Sequence, residues 1–70
     1  MSAVLTINRD SLLGTQARKL RIAEHISQRE LAGMAGVTVE FVGLFEHNFP
    51  LPLDYKLRIL RVLWAEKIKR

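Results

Sequence analysis

The segment from Ser27 to Glu46, SQRELAGMAGVTVEFVGLFE, restricts the possible folds of this chain more than any other. Ser27 and Glu30 have the spacing of a capping box, in which each side chain accepts a hydrogen bond from the other residue's backbone amide. Gly36 allows the left-handed backbone that ends a helix, and Thr38 can cap the next one. The segment therefore predicts two short helices joined by a tight turn.

Apolar residues recur at helical spacing on both sides of this segment. Before it, they predict a helix capped by Asp10 or Ser11. After it, HNFPLP is expected to end the third helix, with Asn48 at the left-handed position, and the last helix is expected to begin at Pro52 or Asp54. The apolar positions behind these predictions are Leu13, Ala17 and Leu20 in the first helix and Leu53, Leu57, Leu60 and Trp64 in the last.

The first residues have a different pattern. AVLTIN, residues 3–8, alternates and is rich in β-branched residues, which predicts a short strand or an extended arm. We therefore expect an all-α fold of four to five helices over residues 10–66, with an N-terminal arm at residues 1–9 and a basic tail at residues 67–70. A chain of 70 residues forms one small domain with a limited core.

Several classes of function are not expected from this composition. The chain has no cysteine, which excludes disulfides and thiolate metal sites, and two isolated histidines, His25 and His47, do not indicate a metal centre. No carboxylate pair or phosphate-binding glycine loop is evident, so we expect neither an enzyme nor a cofactor. Without a signal peptide or an apolar stretch of membrane-spanning length, we expect no membrane association and a cytoplasmic, nucleoid-associated protein of a bacterium or phage.

The net charge of +4 is concentrated at the C-terminus. Residues 1–55 contain five basic and six acidic side chains, whereas residues 56–70 contain six basic and one acidic. A basic end favours binding to polyanions through counterion release. The alternative is a solvated face that keeps a small protein in solution, and composition does not separate the two.

A set of residues spread over most of the chain has the spacing of one known domain. It comprises Leu13, Gly14, Leu20, Arg21, Ser27, Gln28, Glu30, Leu31, Ala32, Gly36, Val37, Thr38, Glu46 and Pro52. With these residues the chain resembles, from Leu13 to about Trp64, the helix-turn-helix domain of phage Cro and repressor proteins, the XRE family. The resemblance implies a lambda-repressor-like fold and a sequence-specific transcriptional regulator that binds double-stranded DNA. It also implies a structural salt bridge between Arg21 and Glu46.

The resemblance implies that the helix starting at Thr38 lies in the major groove and that Gln28 contacts DNA near the groove edge. The predicted DNA-binding residues are Gln28, Arg29, Thr38, Val39, Glu40, Phe41, Gly43, Leu44 and His47.

The third helix departs from the family pattern, because its exposed positions are usually polar in relatives. Here Glu40 is repelled by phosphate and has no cation on its own helix, while Phe41 and Leu44 are apolar, as in a protein-contact patch. The alternative function is a helix-turn-helix scaffold that binds a protein, such as a toxin or another regulator.

The last helix is apolar over more than one face, so a second surface is expected to cover it. We predict a symmetric homodimer that reads two half-sites about 34–36 Å apart. The predicted interface residues are Tyr55, Ile59, Val62, Leu63 and Ile68.

Overall fold

The computed structural model describes the backbone of residues 2–69 and the side chains of residues 13–69. Within this range the chain forms four helices and no strand, which confirms the all-α fold class. The helices are α1 (Ser2–Ala23), α2 (Gln28–Ala35), α3 (Val39–Glu46) and α4 (Leu53–Ile68).

The caps of α2 and α3 lie where the sequence places them. The Ser27 hydroxyl accepts a hydrogen bond from the Glu30 amide at 2.9 Å, and the Glu30 carboxylate accepts one from the Ser27 amide at 2.8 Å. Gly36 ends α2 with a φ of 71°, and the Thr38 hydroxyl accepts a hydrogen bond from the Phe41 amide at 3.4 Å. These local bonds set the boundaries of both helices and leave a short turn between them.

The predicted strand or arm at residues 3–8 and the cap at Asp10 or Ser11 are wrong, because α1 begins at Ser2. No glycine or proline precedes Gly14, so nothing in the covalent chain interrupts a helix there. A single strand needs a neighbour for its backbone hydrogen bonds, and the described residues contain no other strand. A helix instead makes those bonds within itself.

Residues from all four helices form the core. Among the side chains that the structure describes, its fully or nearly buried members are Ala17, Leu31, Ala32, Ala35, Val42, Phe45, Ile59 and Leu63. Gly14 sets how closely α1 approaches the end of α3. A Cβ atom at this position would lie 2.1 Å from the carbonyl oxygen of Phe45, so only glycine allows this approach. The contact holds α3 against α1 while the opposite side of α3 remains accessible.

Helix α4 meets the core with two residues that were predicted to form the dimer interface. Ile59 and Leu63 are fully buried, whereas Leu53 is 67% exposed and Trp64 is 58% exposed. Both faces of α4 are apolar, so periodicity alone does not determine which of them meets the core. Leu53 and Trp64 therefore lie on the outside of the domain, whereas Leu60 packs against the core.

The orientation of α4 also corrects the predicted dimer interface. Ile59 and Leu63 have no exposed surface, so they cannot contact a second copy while the domain is folded. Tyr55 and Val62 are half-buried, and Ile68 is exposed. Helix α4 continues through Ile68, so Lys67, the first residue of the basic tail expected at residues 67–70, lies within the helix.

Candidate nucleic-acid interface on α3

The predicted ion pair between Arg21 and Glu46 is present and links α1 to α3. Arg21 Nε donates to Glu46 Oε2 at 2.6 Å, and Arg21 Nη2 donates to Glu46 Oε1 at 3.1 Å. The side chain of Glu46 is only 1% exposed and that of Arg21 is 13% exposed. Because the guanidinium meets the carboxylate with two parallel bonds, the pair fixes the relative orientation of the two helices.

Gln28 extends this network to α2. Its side-chain amide donates to Glu46 Oε1 at 3.1 Å, while Arg21 Nη1 donates to the carbonyl oxygen of Ile26 at 2.9 Å. Three hydrogen bonds from two residues thus end on one buried carboxylate. The predicted DNA-contacting amide of Gln28 is therefore bonded within the domain, where it holds the start of α2 against the end of α3.

The outer face of α3 carries most of the residues predicted to read DNA. Thr38, Glu40 and His47 are exposed, and Val39 and Leu44 are each 38% exposed. The side chains on this face differ from those of a typical recognition helix, because they include a carboxylate and two aliphatic groups.

Gly43 lies in the middle of the same face and is half-buried. A Cβ atom there would have no neighbour within 4 Å, so packing inside the domain does not require a glycine at this position. Because glycine has no side chain, the backbone between Glu40 and His47 is less covered here than it would be with any other residue.

The structure separates Phe41 from this exposed face. Its side chain is half-buried, and its ring lies 4.7 Å from the ring of Tyr55, centroid to centroid, with the planes tilted by 53°. This contact is part of the packing between α3 and α4. Phe41 therefore supports the position of α3. It does not form an exposed apolar patch with Leu44, as the sequence had suggested.

Arg29 is also separate from the α3 face. It is exposed on α2 and lines a shallow depression together with His25, Met34 and Glu66. No residue of α3 lines that depression.

The sequence analysis missed one cation near this face, Arg58 of α4. Its Nη1 atom donates to the carbonyl oxygen of Gly36 at 3.4 Å, and its guanidinium carbon lies 5.8 Å from the centre of the Tyr55 ring. Asp54 forms an ion pair with it at 3.6 Å, and 47% of the Arg58 side chain remains exposed. A positive charge therefore lies beside the turn that leads into α3.

Residues 13–69 contain neither a cluster of metal-binding side chains nor a membrane-spanning helix. The side chains described there include no group of three or more histidine, cysteine or acidic residues that could hold a metal ion. Over the same part of the chain, none of the helices has the combination of length and apolarity needed to cross a bilayer. No family model, curated protein or solved structure matches the chain.

Proposed function

We propose that the chain is a DNA-binding transcriptional regulator of the XRE helix-turn-helix type and that α3 reads the major groove. One observation carries this proposal: the outer face of α3 is accessible while its inner end is held by Arg21, Gln28 and Glu46. In helix-turn-helix domains, a short helix that is held against a second helix enters the major groove. Such a regulator acts in the cytoplasm, on the nucleoid.

Each exposed group in the first turn of α3 has a chemical counterpart on DNA. The Glu40 carboxylate accepts hydrogen bonds, so it can pair with the amino group of a cytosine. Val39 offers an aliphatic surface to a thymine methyl group, and the hydroxyl of Thr38 can reach a phosphate. All three side chains are exposed.

Arg58 supplies the positive charge that α3 lacks. It lies at the turn between α2 and α3, and about half of its side chain is available to solvent. A phosphate next to this turn would be attracted by its guanidinium group, which offsets the repulsion between the backbone of DNA and Glu40. On this proposal Arg58 positions the domain, whereas Glu40 discriminates between base pairs.

The second candidate function is a protein-binding module, with a toxin or a regulator as the partner. The observation in its favour is the exposure of two aliphatic side chains on α3, Val39 and Leu44, each of which is 38% exposed. Apolar groups gain free energy when a partner removes them from water. On this alternative Glu40 has no role in base recognition, and the domain has little affinity for any DNA sequence.

A salt titration of DNA binding tests the proposal. Fluorescence anisotropy with duplex fragments should give an affinity that falls steeply as salt increases and that differs between fragments. Arg58→Gln should weaken binding to all fragments and lower the slope of log affinity against log salt by about one. Lys19→Gln is the matched control, because it removes the same charge from an exposed position on α1.

Absence of binding at low salt would contradict the proposal and favour the protein-binding alternative. If Arg58→Gln and Lys19→Gln changed the DNA affinity equally, the chain would be a nonspecific polyanion binder. Arg58 would then not be part of the DNA interface. The homodimer stays a prediction, and sedimentation of the free chain and of its DNA complex measures it separately.

A further inference from the structure

An open apolar groove runs between α1 and α4, and no residue of α3 lines it. Its volume is about 600 Å³. The residues that form its floor and sides include Leu13, Leu20, Leu57, Leu60, Trp64 and Ile68. The groove therefore lies apart from the proposed DNA-reading face.

The described residues leave much of this groove uncovered. Trp64 is 58% exposed, Ile68 is 67% exposed and Leu57 is 39% exposed. These residues follow one another along one face of α4 at intervals that a helix brings into line. From Leu57 to Ile68 they span about 16 Å, which is the length of about three turns of a partner helix.

The charges at the groove are positive. Arg61 is part of its lining, and the ammonium group of Lys67 lies 5.0 Å from the centre of the Trp64 ring. Among the described residues no acidic side chain lines the groove. The segment that includes α4 from residue 56 onward has six basic residues and one acidic residue.

We propose that this groove binds an acidic amphipathic helix of a partner protein. The apolar side of such a helix would cover Trp64, Leu57 and Ile68, as in other complexes in which a helix lies in a groove. Its carboxylates would meet Arg61 and Lys67 at the rim. Burial provides the affinity, and the charge pattern selects an acidic helix over a basic one.

A second copy of this chain fits the groove less well on charge. A second copy seated in this groove through its own α4 would bring a further Arg61 and Lys67 to a rim that is already positive. The acids in this helix already have partners, since Asp54 pairs with Arg58 at 3.6 Å and Glu66 with Lys69 at 3.1 Å. Like charges facing each other lower the affinity, so the groove favours a molecule of opposite charge.

Trp64 allows a direct test, because it is the single tryptophan of the chain and lies in the groove. We would titrate the full chain with three synthetic peptides of about 18 residues, long enough to form a helix. The first has leucine and phenylalanine on one face and glutamate on the other. The second replaces each glutamate by lysine, and the third has the composition of the first in shuffled order.

The acidic amphipathic peptide should shift the emission of Trp64 to shorter wavelength in a saturable way, with an affinity that falls as salt increases. The lysine peptide and the shuffled peptide should each bind at least about tenfold more weakly than the acidic peptide. Arg61→Glu should lower the affinity of the chain for the acidic peptide by about tenfold. Lys19→Glu, an equal change of charge outside the groove lining, should leave its affinity unchanged.

The other outcomes overturn the proposal. Equal binding of all three peptides, or no shift with any of them, would mean that the groove does not select an acidic helix. A shift that depends on protein concentration alone, with dimers in sedimentation, would assign the groove to a second copy. In a separate titration with duplex DNA, a shift of the Trp64 emission would assign the groove to nucleic acid. The peptide titration contains no DNA, so a negative result there would not count against the proposed DNA binding by α3.

Discussion

Removing either partner of the Arg21–Glu46 ion pair should destabilise the domain strongly. Arg21→Ala leaves the Glu46 carboxylate, whose side chain is 1% exposed, with the Gln28 amide as its remaining hydrogen-bond donor among the described side chains. An uncompensated buried charge of this kind costs about 3–5 kcal/mol. A domain of 70 residues has a total stability of roughly 4–10 kcal/mol, so one substitution removes a large part of it.

The two single substitutions should not be equivalent. After Glu46→Ala, the Arg21 side chain keeps its bond to the carbonyl oxygen of Ile26 and is closer to solvent, being 13% exposed. Its charge can therefore be hydrated more easily than that of Glu46, and Arg21→Ala should be the more damaging change. The double variant should lose less than the sum of the singles by about 0.5–3 kcal/mol.

These differences in the free energy of unfolding can be measured by urea unfolding, followed by the helical signal in circular dichroism. Arg21→Met with Glu46→Leu provides a control for volume, since a packed apolar pair often replaces a buried ion pair at little cost. Strictly additive losses in the double-mutant cycle would refute the coupling described here. Equal losses for both singles would refute the part of the reasoning that depends on burial.

Further predictions concern three glycines and the cap of α2, and the same unfolding assay checks the changes in stability. Gly14→Ala should cost about 1–3 kcal/mol or prevent folding, because its Cβ would lie 2.1 Å from a carbonyl oxygen, and an unchanged stability would contradict the close approach of α1 to α3. Gly33→Ala, with no neighbour within 4 Å, should stabilise by about 1 kcal/mol. Gly43→Ala should stabilise by a similar amount while weakening DNA binding, and unchanged binding would remove Gly43 from the interface. Ser27→Ala should cost about 1 kcal/mol, and no loss would mean that the capping box has little weight in solution.

The boundaries of α2 and α3 were predictable because the signals are local. Ser27 with Glu30, Gly36 and Thr38 each act on backbone groups within a few residues, so the sequence pattern and the structure agree. The ion pair of Arg21 with Glu46 is not local, and its prediction came from a family resemblance.

The remaining features depend on packing between distant segments. Both faces of α4 are apolar, so the burial of Ile59 rather than Trp64 is decided by which face meets the core. The same orientation brings Arg58 to the turn at Gly36, 22 positions away in the chain. It also places Phe41 against Tyr55, although the periodicity of α3 alone is compatible with an exposed ring.

Selection of binding sites from a random duplex library tests the central claim most directly. Wild type should enrich one sequence, and Glu40→Gln should change the preference at one base pair by about 1–3 kcal/mol while leaving the other positions unchanged. Glu66→Gln removes the same charge from α4 and should select the wild-type sequence. Identical preferences for wild type and Glu40→Gln, or no enrichment with either, would contradict the reading of DNA by α3.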